Sequence, residues 1–400
     1  MKILQVNCVY KTGSTGKIVA DIHNELRTRG IGSVVCYGRG AVVDEPDVYK
    51  TCGELYSKAN NLLSRFTGIM YGGCGFSTRR LISIIKKEKP DVVHLHCING
   101  YFVNIYRLIQ WLKENHIKTV LTLHAEFMYT ANCGHALDCE KWKTGCGRCP
   151  RRRQETKSLF VDGTSRSWKR MKRAFDGFEA DCTIVSVSPW LMERAMQSPI
   201  LNGFRHITVL NGLDVGVFSP QKDENLRGRF GLEGKKLVLH VTAEFSLEPD
   251  HLKGGCHVVE LAKRMPDVAF VVIGSRERGL DLPENVLNIG RVEDQRELAA
   301  WYSTADVTLL TSKKETFSMV VAESLCCGTP VVGFKAGAPE MIALPRHSEF
   351  AEYGDIESLC VFLRAMLERE RKMEACEAEE IYSKARMCES YCRQYGELKW

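Results

Sequence analysis

Two carboxylates eight positions apart, Glu315 and Glu323, lie in the stretch Ala305–Ile342, and their surroundings give the spacing a chemical meaning. Val307–Leu310 is an apolar run of strand length, and Thr311–Glu315 is a polar loop. Met319–Cys327 has helical periodicity, with Ser318 as N-cap and Gly328 as the stop. Pro330 leads into a second buried run, Val331–Phe334, ended by Gly337 and Pro339. Strand, loop, helix and strand make a βαβ unit of a parallel sheet. A helix N-terminus behind a sheet strand is an anion site, because its first amides lack intrahelical acceptors and the dipole favours negative charge there. Phe317, Ser318, Met319 and Val320 would supply those amides. Glu315, in the loop, is placed to reach a sugar hydroxyl beyond the phosphates, and Glu323 a ribose diol behind them. The pattern fits a nucleotide-diphosphate sugar. The spacing alone also allows two surface acids near a helix start.

Histidines form a second group. His94, His96 and His124 fall at or near the C-terminal ends of the apolar runs Asp91–His96 and Thr119–His124, where open α/β sheets place ligands. For each, a packed and hydrogen-bonded core side chain is the alternative. Near the start, strand-like Ile3–Val9 runs into Gly13-Ser-Thr-Gly16-Lys17 and then a helix, Ile18–Arg29. A Gly-rich turn there brings backbone close to a ligand, or is simply tight. It has neither the P-loop spacing nor the dinucleotide fingerprint.

Phe127–Pro150 is the most distinctive insertion. Cys133, Cys139, Cys146 and Cys149, with His135 nearby, place four thiols within seventeen residues, and Cys146-Gly-Arg-Cys149 has zinc-knuckle spacing. A structural zinc, free thiols and disulfides all remain open. Arg148, Arg151, Arg152, Arg153, Lys157, Arg166, Lys169, Arg170, Lys172 and Arg173 follow, opposed by Glu155 and Asp162, with Phe160, Trp168 and Phe175 interleaved. Such a run is a solvated face, or a basic surface against an anionic membrane. No nucleic-acid motif accompanies it, and nucleic acid is not expected as a partner.

These groups need a scaffold to hold them. Four hundred residues make room for two domains or more, and 44% hydrophobic with 26% charged residues is ordinary for a globular chain. No apolar run reaches bilayer-spanning length. Met1–Tyr10 is too short and polar for a signal peptide, so it reads as a first strand. Seventeen cysteines without a signal peptide point to a reducing cytoplasm. The net charge of +6 suits an anionic ligand or membrane surface. Apolar strand-length runs alternate with helical segments throughout: Val34–Tyr37, Tyr56–Arg65, Arg79–Lys89, Cys182–Val187, then Leu237–Val241, Val268–Gly274 and Val286–Ile289. That alternation predicts doubly wound α/β sheets in tandem.

Glu315-x7-Glu323, followed by Cys327-Gly-Thr-Pro-Val-Val, resembles the E-x7-E signature of retaining glycosyltransferases of family four, which have the GT-B fold. The family usually has small residues, often Gly, near Thr316 and Ser318. The Gly13–Gly16 turn resembles the first Gly-rich loop of GT-B enzymes, which faces the interdomain cleft, and Gly16 carries over as a donor-binding residue. His124 resembles the family histidine that contacts the donor sugar; the family often has Asp next, where this chain has Ala125 and then Glu126. Ile207–Gly212, with Asp214 and Phe218, resembles the V-x-N-G-x-D-x-x-x-F lead-in to the second domain. Lys253-Gly254 resembles the lysine that neutralises the donor diphosphate. The family arginine several residues earlier is missing from Thr242–Ser246, and Lys313 and Lys314 are candidate replacements. Lys141–Pro150 looks like a Cys-rich string in enzymes of the colanic-acid and capsular-polysaccharide branch.

The resemblance covers nearly the whole chain. It implies two Rossmann-like domains facing a cleft: 1–205, an acceptor domain with the insertion at 127–150; 206–378, a donor domain; and 379–400, a helix crossing back to the first domain. It implies a retaining hexosyltransferase of surface polysaccharide biosynthesis, with Glu315, His124 and Lys253 catalytic and Phe317, Ser318, Met319, Val320 and Glu323 binding the donor. Lys253 and the helix amides would stabilise the leaving diphosphate, and domain closure would exclude water. No cofactor is expected for catalysis. The implied acceptor is a glycan or a polyprenyl-diphosphate-linked sugar, and the implied location is cytoplasmic, with peripheral contact on the inner membrane surface. The competing readings are a nucleotide-sugar epimerase of the same fold and a zinc-stabilised basic binding module.

Overall fold

The computed structural model describes residues 1–221, 225–276, 279–369 and 375–399. They form two compact units: Met1–Leu210 with the segment from Met387, and Asn211–Arg386.

The first unit is built on seven strands: β1 (Lys2–Asn7), β2 (Gly32–Tyr37), β3 (Val48–Lys50), β4 (Val92–Leu95), β5 (Thr119–Leu123), β6 (Cys182–Ser186) and β7 (Arg205–Thr208). All pair in parallel, in the order β3-β2-β1-β4-β5-β6-β7. Strands β4, β5 and β6 are buried at every position, as a parallel sheet covered on both faces requires. Helix Gly13–Thr28 lays Ile18, Ile22 and Leu26 on the sheet beside Ile3, Val92, Val120 and Val185. The same cluster takes in Met387, Cys388, Tyr391 and Tyr395 of helix Lys384–Lys399, whose spacing puts them on one helical face.

The second unit has six strands: β8 (Lys236–Phe245), β9 (Val268–Arg276), β10 (Val286–Gly290), β11 (Val307–Leu310), β12 (Val331–Phe334) and β13 (Ser348–Ala351). They too are all parallel, ordered β10-β9-β8-β11-β12-β13. The segment leading into this unit is held by backbone: Leu213 N donates to Tyr382 O at 2.8 Å and Lys384 N to Leu213 O at 2.9 Å. Gly212 is required there, because a Cβ would lie 2.5 Å from Lys384 Cα. Asp214 anchors the same crossing with an ion pair to Lys384 Nζ at 2.7 Å.

One local expectation is corrected, and three edge strands are found that the sequence pattern did not mark. The first helix begins at Gly13, not Ile18, so the Gly-rich turn is the helix's own first turn. The edge strands β3, β7 and β13 carry no long apolar run, because an edge strand is only half covered, and periodicity does not mark them.

Tyr395 is fully buried and its hydroxyl meets His94 Nδ1 at 2.6 Å. Tyr395→Ala removes a packed ring and leaves a buried imidazole short of a partner. It is expected to destabilise the first unit by about 3–5 kcal/mol, read as a lower unfolding midpoint in denaturant.

Candidate active site

In the second unit the strand order reverses between β8 and β11. Loops leaving the carboxyl ends of such a pair diverge and open the crevice where open α/β sheets bind ligands. Lys253 lies on the loop after β8 and Glu315 on the loop after β11. Lys253 Nζ donates to Glu315 Oε1 at 2.6 Å, with both side chains largely shielded from solvent. The backbone of the two loops is joined as well: Thr311 Oγ1 donates to Lys253 O at 2.9 Å, and Lys313 N to Leu252 O at 2.8 Å. Gly254 makes this approach possible. Its φ is +62°, and a Cβ would sit 2.3 Å from Thr311 O.

Glu315 is also clamped from the other side. Its N–H donates to Ala336 O at 2.9 Å, and Ala338 N donates to Glu315 O at 3.2 Å. The Glu340 carboxylate accepts from the amides of Ala336 and Gly337, so the loop after β12 is itself tied down. Phe317 is buried and anchors the turn into helix Met319–Cys326. Ser318 occupies the N-cap position, but its hydroxyl makes no capping bond and is buried without a partner. The cause is its backbone: φ is +81°, a region that favours glycine and turns the side chain away from the helix amides. The first-turn amides of Met319 and Val320 keep the general lack of intrahelical acceptors.

Glu323 faces into the unit, where Tyr302 OH donates to its Oε2 at 3.0 Å. Tyr302 is fully buried, and its backbone carbonyl accepts from Thr329 Oγ1 at 2.6 Å. The sequence reading missed Tyr302, and no spacing signals it. It also missed His240, which is buried in β8 with Nδ1 donating to Leu309 O at 3.1 Å and Nε2 without a partner. Burial, and then the nearby Lys253 charge, push its pKa down to about 4. Lys313, a candidate for the missing arginine, has its ammonium over the Tyr353 ring, 5.8 Å from the centroid.

In the first unit the three histidines are brought together. His94 Nε2 meets Thr122 Oγ1 at 2.7 Å, the His94 and His96 ring centroids are 3.8 Å apart, and His96 Nδ1 lies 3.2 Å from His124 Nε2. Tautomers follow from Gln5. Its Nε2 donates to Val19 O at 3.3 Å, so its Oε1 accepts from His96 Nε2, also at 3.3 Å. A neutral His96 then has a bare Nδ1, which accepts from His124 Nε2–H. His124 is held as the Nε2–H tautomer, with Nδ1 its acceptor atom. Burial drives the pKa of His94 and His96 well below the usual value and that of His124 to about 4. Gly16 serves packing: a Cβ would meet Val9 Cγ2 at 3.2 Å and Lys11 N at 3.3 Å. Glu126 is fully buried, accepts from Arg194 Nε at 2.7 Å and the amide of Ala136, and so faces the core.

Cys133, Cys139, Cys146 and Cys149 are free thiols. Burial, then the Glu155 charge and those of the other three thiolates, push the Cys133 pKa up, and burial takes Cys146 to about 12. Among the described residues no three His, Cys, Asp or Glu side chains are arranged to hold one metal ion. Cys146 Sγ donates to Thr130 O at 3.7 Å, and the backbone N–H of Cys133 donates to Thr130 Oγ1 at 3.0 Å.

The profile described as "Glycosyl transferases group 1" matches residues 250–369, the segment carrying Lys253, Glu315 and Glu323. The chain is 24% identical over 353 residues to WcaC of Escherichia coli strain K12, named for glycosyl transfer in colanic acid biosynthesis, with 84% of each covered. It is 23% identical over 291 residues to N-acetyl-alpha-D-glucosaminyl L-malate synthase of Bacillus anthracis, covering 70% of this chain and 64% of that one. Among solved structures, sucrose-phosphate synthase from Thermosynechococcus elongatus superposes with a TM-score of 0.71 at 14% identity, covering 100% of this chain and 99% of the other. HepE of Anabaena in complex with UDP superposes with a TM-score of 0.67 at 15% identity, covering 99% and 100%. The two all-parallel sheets are those of the GT-B fold.

Gly254→Ala forces a Cβ into Thr311 O at a positive φ. It is expected to lower stability by about 1–3 kcal/mol in thermal unfolding, because the two loops must part. Acid acts on the histidines. His124 and His240 have folded pKa values near 4, below an unfolded value of about 6.5, so the unfolded chain binds more protons between those limits. Stability is expected to be full above pH ~6.5 and to fall by up to about 3 kcal/mol per histidine as pH drops towards 4. Denaturant titrations across that window check the loss, and ¹⁵N spectra at neutral pH should show His124 with its proton on Nε2.

Proposed function

We propose that this glycosyltransferase, with its group 1 domain at 250–369, is a retaining enzyme that moves a hexose from a nucleotide-diphosphate sugar to a glycan or polyprenyl-diphosphate-linked acceptor in surface polysaccharide biosynthesis. The observation that carries the reading is the Lys253–Glu315 pair, 2.6 Å apart at the β8/β11 reversal and one turn before helix Met319–Cys326. A diphosphate there would meet one ammonium and the amides of Ser318, Met319 and Val320, which is what charge building on a leaving group needs. Lys253 would turn from Glu315 towards the diphosphate, and Glu315, relieved of its cation, would accept from a sugar hydroxyl. Glu323, aimed by Tyr302, would take the ribose diol. His124, neutral at physiological pH, would act as a hydrogen-bonding group for the sugar rather than as a charge. The donor class is supported by HepE, whose structures are described with UDP and with UDP-glucose. The polysaccharide role is supported by WcaC.

Incubation with a panel of sugar nucleotides, with and without acceptor lipid, tests the reading through nucleoside diphosphate release and the anomeric configuration of the product. Inversion would overturn the retaining assignment, a free epimer without acceptor would indicate the epimerase, and no release with any donor would end the proposal. Lys253→Ala is expected to lower kcat by about 10²–10³, and Lys253→Arg to recover only part, because a planar fork does not replace a compact ammonium. Glu323→Ala should raise the donor KM about 10- to 100-fold, the loss of a charge-assisted bond. Glu315→Ala should act mainly on kcat.

A further inference from the structure

Helix Glu54–Thr67 is amphipathic the wrong way round for a helix that only packs. It buries Ser57 and Ser64 and turns Leu55, Leu62, Leu63 and Phe66 to solvent, Leu55 to 83%. The ridge is continued by Leu159, Phe160 and Val161. Leu159 N donates to Arg65 O at 2.9 Å, and the Phe66 and Phe160 rings stack with centroids 5.9 Å apart. Gly68 and Gly163 allow this crossing, since a Cβ on Gly163 would lie 1.8 Å from Gly68 O. Phe76 extends it, its N–H on Tyr56 OH at 3.2 Å. Of the thirteen large hydrophobic side chains exposed among the described residues, eight belong to this one surface. A patch of that kind marks an interaction site.

Its border is cationic. Arg166, Lys169 and Arg173 are exposed, and their spacing along helix Thr164–Phe175 sets them on one face. With Arg170 they line a concavity that Val161 closes on the apolar side. Arg152 NH1 reaches the ridge itself, donating to Phe160 O at 3.1 Å. Residues 148–173 hold ten Lys and Arg against two acids. No described helix is long and apolar enough to cross a membrane. Leu and Phe on a ridge with Arg and Lys beside it is the chemistry of a surface that lies in a bilayer interface: the apolar ridge enters the acyl boundary while the cations stay at the phosphates.

We propose that this surface, formed by Glu54–Thr67, Phe76, Leu159–Val161 and the Arg166/Lys169/Arg173 face, docks on a bilayer containing anionic phospholipid. The inference does not rest on the transferase reading, since none of these residues belongs to the candidate active site. It is tested on the full chain by co-sedimentation with vesicles of phosphatidylcholine alone or mixed with phosphatidylglycerol. The wild type should pellet with the anionic vesicles and far less with neutral ones, and added salt should release it. Leu62→Ser/Leu63→Ser/Phe66→Ser/Phe160→Ser should weaken binding roughly tenfold or more at unchanged thermal stability, because these side chains are exposed. Arg166→Glu/Lys169→Glu/Arg173→Glu should do so independently by roughly tenfold or more, and it leaves the ridge intact if the first variant fails to fold. No pelleting at low salt, or equal pelleting of wild type and both variants, overturns the proposal. So does a dimer in sedimentation velocity that the serine variant abolishes while vesicle binding persists, which would assign the ridge to a second copy of the chain.

Discussion

An ammonium and a carboxylate held 2.6 Å apart on two separate loops, both largely out of water, cannot form unless their backbones are brought together first. Much of the second unit's loop chemistry is explained by that demand. Gly254 has no side chain because Thr311 O occupies the space one would need. Thr311 and Lys313 tie the two loops with their own hydrogen bonds, so the charges contribute to an approach that neutral groups already enforce. Glu340 holds the third loop, which in turn fixes the backbone of Glu315. The strained backbone of Ser318 sits at the end of this chain of constraints, where the loop must turn into a helix within three residues of Glu315. The backbone of this crevice is thereby fixed by hydrogen bonds among its own loops.

The first unit is organised by a polar chain instead. Tyr395 and Tyr391, from the chain's last helix, reach His94 and Thr122, and the histidines continue the contact to the end of β5. Burial of this chain keeps the imidazoles neutral, and its hydrogen bonds fix their positions. The far end of the sequence thereby helps set the protonation of a residue more than two hundred and fifty positions earlier.

The insertion and its neighbours show how burial redirects chemistry. Burial pushes the Cys133 thiol up and takes Cys146 to about 12, so both stay protonated at neutral pH. The segment that follows the insertion turns its apolar residues Leu159–Val161 outward, where they join a helix whose serines face inward. The basic residues that the sequence displays as a run thus acquire an apolar half from a segment a hundred residues away.

Local order was legible from the amino acids alone. The alternation of apolar strand runs with helices predicts two parallel sheets, and the run Val307–Leu310, the helix from Met319 and the run Val331–Phe334 stand where periodicity and Gly and Pro punctuation put them. The resemblance carried by their motifs groups Glu315, Glu323 and Lys253 as one candidate site. Pairing was not legible. That Lys253 meets Glu315, that Tyr302 aims Glu323, that Gln5 sets the tautomer of His124 and that Glu126 turns into the core all depend on residues distant in sequence meeting at a fixed distance. Nor could spacing show that a helix of ordinary pattern wears its apolar face outside. Periodicity records which face of an element is apolar; which neighbour or solvent that face meets, and which polar groups end within 3 Å of one another, is decided only when the sheets are assembled and the loops closed.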